Sequence, residues 1–320
     1  MSSERAAPEP GGPEGRPVRP QRDGGGRLRS ARALVRTLRP HQWVKNAFVA
    51  APLVFAQKLG NPHDVARAAL AVLTFCALSG AVYAFNDVLD VDADRLHPAK
   101  CKRPVAAGVL SERAALACAG VLAIGALGGC LVSSWQLAIV AALYLAQNVA
   151  YTLRLKHIAF VDVALIASGF LLRVLAGATA IAVPTSVWLL LCTALLALLL
   201  GLGKRTHELT WALAHGHLGK TRTALAGYRL DLLWVAMIAL ALATCASFIA
   251  YTLDDSTVAQ FHTNHLVYSA PFVAIAIVRF LWLTLGSSGE AQPTEAMLRD
   301  PVFLIDVAAA VVVMLYVIYG

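Results

Sequence analysis

The chain has 320 residues, of which 58% are hydrophobic and only 14% charged, with a formal net charge of +8 at pH 7. That hydrophobicity excludes an ordinary soluble domain. The excess of positive charge does not point to nucleic acid, because no basic-aromatic binding module is visible; basic loops held on one side of a membrane account for it.

Residues 1–35 open with MSSERAAPEPGGPEGRPVRPQRDGGGRLRS, rich in Gly, Pro, Arg and Glu. They lack the apolar core of a secretory signal and cannot bury enough surface to fold. The expectation is a disordered, basic cytoplasmic tail, its basic end either touching anionic lipid or merely solubilising. Residues 36–320 read as one transmembrane domain. Nine apolar segments follow at roughly 43–58, 67–88, 113–131, 135–152, 160–182, 186–203, 232–252, 267–285 and 301–319. Most approach twenty residues and lack strand-like alternation, so the fold class is an all-α polytopic membrane protein rather than a barrel. The first segment is weak, since His41, Gln42, Lys45 and Asn46 interrupt its start.

Lys and Arg concentrate in the loops at 89–113, 152–159 and 203–231, whereas those near 131–135, 182–186 and 253–266 have none. The positive-inside rule puts the basic loops and the N-terminus in the cytoplasm and, with nine spans, the C-terminus outside. Of six cysteines, five lie in apolar runs and only Cys101 in a charged loop; without a CxxC, neither a zinc site nor a disulfide framework is expected.

The second apolar segment ends in AFNDVLDVDADRLHPAKCKRP, residues 84–104. On a helix turning about 100° per residue, Asp90, Asp94 and Asp87 fall about 40°, 80° and 100° from Asn86, while Asp92 falls near 240°. Carboxylates on one face repel one another unless a cation meets them. Mg²⁺ is commonly held by one or two carboxylates plus substrate phosphates. A solvated acidic helix end is the alternative, but acid is unfavourable at a helix C-terminus. Lys100, Lys102 and Arg103 follow, suited to an anionic substrate or simply to cytoplasmic topology.

A second cluster, YTLRLKHIAFVDVALIASGFLLRVLAG at 151–177, contributes Tyr151, Lys156, Asp162 and Arg173. An Arg so deep in a span needs a buried partner or an anionic ligand. In GLGKRTHELTW at 201–211, Lys204, Arg205 and Glu208 end an apolar helix; Lys204 and Glu208 also have the spacing of a surface pair. In RPHQWVKN at 39–46, Gln42, Lys45 and Asn46 open the first segment, either as ligands or as an interfacial Trp anchor with a snorkelling Lys.

These residues carry a resemblance. NDVLDVDAD matches the NDxxDxxxD first aspartate motif of the UbiA-type intramembrane prenyltransferase superfamily. RPHQWVKN, DRLHPAKCKRPVAAG, YxxxLK, SGFLLR, GKRTHE and PTEAMLRD look like its polyprenyl-phosphate phosphoribosyltransferase branch, over about residues 36–305. The prenyl-transferring branches usually carry a second DxxxD. Here Ile166 stands four after Asp162, a departure that counts against an ordinary aromatic prenyltransferase.

The resemblance implies a UbiA-type helical bundle with a cytoplasmic active site in a bacterial inner membrane. It implies Mg²⁺-dependent transfer of phosphoribose from 5-phosphoribosyl diphosphate to a polyprenyl phosphate, feeding cell-wall pentose donors. The alternative is prenyl transfer to an aromatic acceptor in a quinone, haem or chlorophyll pathway. Asn86, Asp90 and Asp94, with Asp87, would hold Mg²⁺; Lys100, Arg103 and Lys156 would bind phosphates. Asp162 would ligate a second cation or orient Lys156. Lys204 and Arg205 are candidates for the 5-phosphate, and Lys45 for the acceptor phosphate, with Gln42, Tyr151 and Arg173 also lining the substrates. An oligomer, such as a trimer, is implied by the resemblance alone. The 207–229 loop is either a lid over the donor or a surface helix.

Overall fold

The computed structural model describes residues 24–97, 100–214, 225, 227–286 and 292–320. Among these the chain is helical without strands. Eight helices are long and apolar enough to cross a membrane: α3 (Pro62–Leu89), α5 (Glu112–Ser133), α6 (Trp135–Leu153), α7 (Val161–Ala180), α8 (Val187–Ala214), α9 (Leu230–Leu253), the stretch His265–Gly286 that ends in α11 (Ala270–Gly286), and α13 (Pro301–Tyr319). The remaining helices are α1 (Gly24–Leu38), α2 (Ala47–Phe55), α4 (Val91–Leu96), α10 (Asp255–Phe261) and α12 (Pro293–Met297).

The expected ninth helix at 43–58 is the element that differs. It is a 3₁₀ segment, Pro40–Asn46, followed by α2, which is 9 residues long and contains Pro52. Polar Gln42, Lys45 and Asn46, together with that proline, prevent one continuous apolar α-helix. The compound segment nevertheless runs antiparallel to α3. Arg39 meets Asp87, Asn46 meets Cys76 and Ser79, and Leu53 clusters with Ala68. At about 2.0 Å per 3₁₀ residue and 1.5 Å per α residue, it covers roughly the 28 Å that α3 rises between Ala68 and Asp87.

Helix α1 overlaps the end of the expected tail: residues 24–35 are helical, and Ala33 packs with Val91, Val105 and Leu110. A buried apolar face supplies what the composition of the tail lacks. Residues 1–23 lie outside the described residues, as do 215–224 and 226 of the 207–229 loop. The described start of that loop is helical, because α8 continues through GKRTHELTW to Ala214. Its glycines fit close packing: a Cβ at Gly203 would lie 2.3 Å from the Phe280 ring.

Two apolar clusters flank the polar interior. One gathers Val49, Phe75, Leu78, Tyr144 and Ala176 from α2, α3, α6 and α7. The other gathers Val163, Leu199, Leu202, Met237 and Phe280 from α7, α8, α9 and α11. Small residues let membrane helices approach closely, most sharply where α2 crosses α7. A Cβ on Gly177 would sit 1.9 Å from the Val49 carbonyl oxygen, a backbone atom that cannot turn away. Gly177→Ala is therefore expected to push α2 off α7, costing about 1–3 kcal/mol. Thermal unfolding in detergent should show a lower midpoint than wild type; an unchanged midpoint would mean that α2 shifts freely.

Candidate active site

The acidic stretch begins in the last turn of α3 and continues, after a turn at Asp90, into α4. Asp87 and Asp94 are buried, Asp90 is partly exposed, and Asp92 is solvent-facing and paired with Arg95 at 2.9 Å. The inward trio and outward Asp92 match the helical spacing. Asn86 is half-buried one turn before Asp90.

Each inward carboxylate meets a cation. Arg39 pairs with Asp87. Arg103 Nη1 lies 2.5 Å from Asp94 Oδ2 and 3.2 Å from Asp87 Oδ1. Lys156 Nζ lies 2.7 Å from Asp90 Oδ1. Three carboxylates and three cations balance, so the mouth carries no net charge in this pairing. Lys156 is thus oriented by Asp90 rather than by Asp162. Lys100 opens the 3₁₀ turn just before Arg103. Arg39 received no role in the sequence reading. It has left-handed backbone (φ 53°) at the joint between α1 and the 3₁₀ segment, and its guanidinium lies 4.9 Å from the Tyr83 ring centre. Such a conformation costs a non-glycine residue free energy, which the ion pair and the ring contact offset.

The trio fits a divalent cation shared with a substrate. The donors are hard oxygens within two helical turns, and each is paired with a basic side chain able to turn to a phosphate. Among the described residues no three acidic, His or Cys side chains converge as a protein-only metal cage. A Mg²⁺ ion held here would need phosphate and water oxygens to complete its shell.

Deeper, α7 brings Arg173 to the 3₁₀ segment. Its Nε donates to Asn46 Oδ1 (2.8 Å), Nη1 to the Gly169 carbonyl (2.9 Å) and Nη2 to Tyr144 Oη (2.9 Å). Its guanidinium also lies 4.8 Å from the Tyr144 ring centre and 5.5 Å from that of Phe170. All these partners are neutral. Among the described residues Arg173 meets no carboxylate, so the ion pair weighed for it is replaced by a polar cradle. Lys45 lies within electrostatic range of Arg173 and Glu295, yet forms no ion pair among the described residues. Two cations without a paired carboxylate at this level are chemically able to take an anion. Gln42 Nε2 donates to Glu295 Oε1 at 3.4 Å, tying the 3₁₀ segment to α12. Beside α12, Arg279 bridges both oxygens of Asp300 at 3.0 and 2.6 Å, and Asp300 caps α13 through the Phe303 N–H. The Arg279 hydrogen bonds hold the Asp300 carboxyl below its ordinary range. This cap is present at neutral pH and is lost only as pH falls through that depressed value.

The third group is internal. Arg205 Nε lies 2.6 Å from Asp162 Oδ2, and both side chains are fully buried. Arg205 also pairs with Glu208, and its Nη2 lies 3.4 Å from Tyr151 Oη. Asp162 and Arg205 are thus paired with each other out of solvent, with Glu208 and Tyr151 as the further contacts of Arg205. Lys204, beside it on α8, is half-buried. Tyr228 Oη donates to Asp162 Oδ1 at 2.6 Å, and sequence reasoning missed it. No motif marks Tyr228, because it lies 66 residues from its partner.

A model of the UbiA prenyltransferase family matches residues 47–284. The chain belongs to the UbiA prenyltransferase family. Family members named decaprenyl-phosphate phosphoribosyltransferase are similar to it over most of their length. That of Mycolicibacterium smegmatis is 36% identical, covering 85% of this chain and 88% of its own. That of Corynebacterium glutamicum is 34% identical, covering 90% and 87%. A UbiA homologue from Archaeoglobus fulgidus, solved with GPP and Mg²⁺, has the same fold at a TM-score of 0.68 and 17% identity, covering 90% of this chain and 100% of that one. UbiA membership and the eight long apolar helices make this a multi-pass membrane enzyme of the transferase class.

Proposed function

We propose that this UbiA-family protein transfers the 5-phosphoribosyl group from 5-phosphoribosyl diphosphate to a polyprenyl phosphate. The reaction is Mg²⁺-dependent and proceeds at the cytoplasmic face of a bacterial inner membrane. The observation that carries the reading is two levels of basic side chains, one paired with aspartates and one without paired carboxylates, and the decaprenyl-phosphate phosphoribosyltransferase relatives support it. The mouth pairs Asp87, Asp90 and Asp94 with Arg39, Arg103 and Lys156. Beneath it, Lys45 and Arg173 have no paired carboxylate among the described residues and suit a second anion.

In this mechanism the donor's diphosphate enters the mouth. Arg103 and Lys156 exchange their carboxylates for phosphate oxygens, with Lys100 beside them, and Lys204 and Tyr151 meet the 5-phosphate. Asp90, Asp94, Asp87 and Asn86 would then hold Mg²⁺, which when bound would supply positive charge to the leaving diphosphate. Lys45 and Arg173 hold the acceptor phosphate, with Gln42 at the edge. An acceptor oxygen attacks C1 of the ribose; the bond from C1 to the diphosphate oxygen breaks, and diphosphate leaves with the electron pair. A phosphate is already ionised at neutral pH, so no general base is needed.

Prenyl transfer from a prenyl diphosphate to an aromatic acceptor is the second reading, favoured by the family model and by the GPP-bound structural relative. The test gives purified protein Mg²⁺, polyprenyl phosphate and labelled 5-phosphoribosyl diphosphate, beside a prenyl diphosphate with an aromatic acid. Label entering the lipid phase, and stopped by EDTA, is the expected result. Prenylation of the aromatic acid without sugar transfer would replace the first reading with the second.

A further inference from the structure

The mouth is backed by a buried chain that begins far from it. Tyr228, 6% exposed, lies between α8 and α9 in sequence. Its hydroxyl accepts the Phe160 N–H at 2.7 Å and donates to Asp162 Oδ1 at 2.6 Å. The two rings pack at 4.8 Å between centres. Phe160 has positive φ (65°), so the start of α7 is a strained turn held from outside by this tyrosine. Asp162 then meets Arg205 Nε through its other oxygen, and Arg205 ends on Glu208 and Tyr151.

The links at Tyr228 are hydrogen bonds, whereas Asp162 Oδ2 and Arg205 Nε are held as a buried ion pair without a hydrogen bond between them. Asp162 Oδ1 has two donors, the Tyr228 hydroxyl and the Val163 N–H at 2.8 Å. Removing the hydroxyl leaves a fully buried carboxylate short of one donor. Its pair with Arg205 is then free to shift, and Arg205 in turn contacts Glu208 and the Tyr151 hydroxyl. Neither Asp162 nor Arg205 has surface for a substrate, both being 0% exposed. The chain therefore acts through its far end, where Glu208 keeps 23% exposure.

We propose that Tyr228 is a positioning residue for the phosphoribosyl donor. Through Asp162 and Arg205 it sets Glu208 and Tyr151 against the donor, and it does not touch substrate itself. The proposal rests on the reading that the donor occupies the mouth. Positioning of this kind affects one substrate, whereas a general packing role affects the whole fold.

The experiment uses the full chain in detergent with Mg²⁺. Binding of 5-phosphoribosyl diphosphate is measured by calorimetry without acceptor, beside the KM for polyprenyl phosphate and the thermal midpoint. Tyr228→Phe keeps the ring against Phe160 and deletes only the hydroxyl. It should weaken donor binding about tenfold, the scale of one hydrogen bond to a charged group, and leave the acceptor KM and the midpoint close to wild type. Asp162→Asn should weaken donor binding too, and the double variant should be no worse than the poorer single one, because both cut the same chain. Wild-type donor affinity in Tyr228→Phe would overturn the proposal. So would equal losses for both substrates with a lowered midpoint, the mark of packing alone. Wild-type protein that binds no donor would remove the phosphoribosyl reading and this proposal with it.

Discussion

Asp90→Ala should lower turnover by about 10²–10³-fold, the scale of losing one preorganised electrostatic contact at a reacting group, while the protein still accumulates in the membrane. Asp90 is the best probe of the acidic face because folding depends on it least. Its side chain is 28% exposed, and among the described residues its one ion-pair partner is Lys156. Asp87 is 2% exposed and holds both Arg39 and Arg103, so its loss would also unsettle the joint behind α1. Asp94→Ala is expected to match Asp90→Ala in activity, but it withdraws a buried partner from Arg103 and should lower the thermal midpoint as well. Label transfer into lipid, read beside size-exclusion profiles, separates the two effects. Near-wild-type turnover in Asp90→Ala would take that residue out of the metal site.

Lys45→Met should raise the KM for polyprenyl phosphate by about tenfold or more, as expected for an anion that loses one charge-assisted hydrogen bond, with no loss of thermal stability. Keeping a cation near Arg173 costs a membrane protein free energy when no carboxylate pairs with it among the described residues. Methionine keeps the length and apolar stem of lysine and removes the repulsion. A variant that is less stable, with unaltered acceptor KM, would make Lys45 a packing residue. Arg173→Met is the less clean experiment, since it strands Asn46 and Tyr144, whose oxygens receive Arg173 hydrogen bonds.

What could be read in advance divides by range along the chain. Local period sufficed for the membrane helices and for the facing of Asp87, Asp90 and Asp94, because a helix repeats within a few residues. It sufficed to doubt the 43–58 segment but not to see that its polar start would wind as 3₁₀ alongside α3. The composition of residues 24–35 argued against order, yet tertiary burial of Ala33 overrode it. Charge partners were the least legible. Arg39 and Asp87 are 48 residues apart, and Lys156 and Asp90 are 66 apart. Spacing offered Lys204 and Glu208 as a pair; it did not show that the helix turns Arg205 to Glu208 and inward to Asp162. The one-face aspartate pattern announced that cations were needed without naming which ones.

The pairing of Asp87, Asp90 and Asp94 with Arg39, Arg103 and Lys156 has a kinetic consequence. A cluster whose charges cancel casts little field beyond a few ångströms, so it does not draw a polyanion in from bulk water as a bare basic groove would. Encounter then depends on the exposed basic loop residues around it, and those are screened within about 10 Å at 0.1 M salt. The association rate of the sugar donor should therefore fall with ionic strength through the rim. Its dissociation rate, set by the exchanged pairs at Asp90, Asp94 and Asp87, should scarcely change.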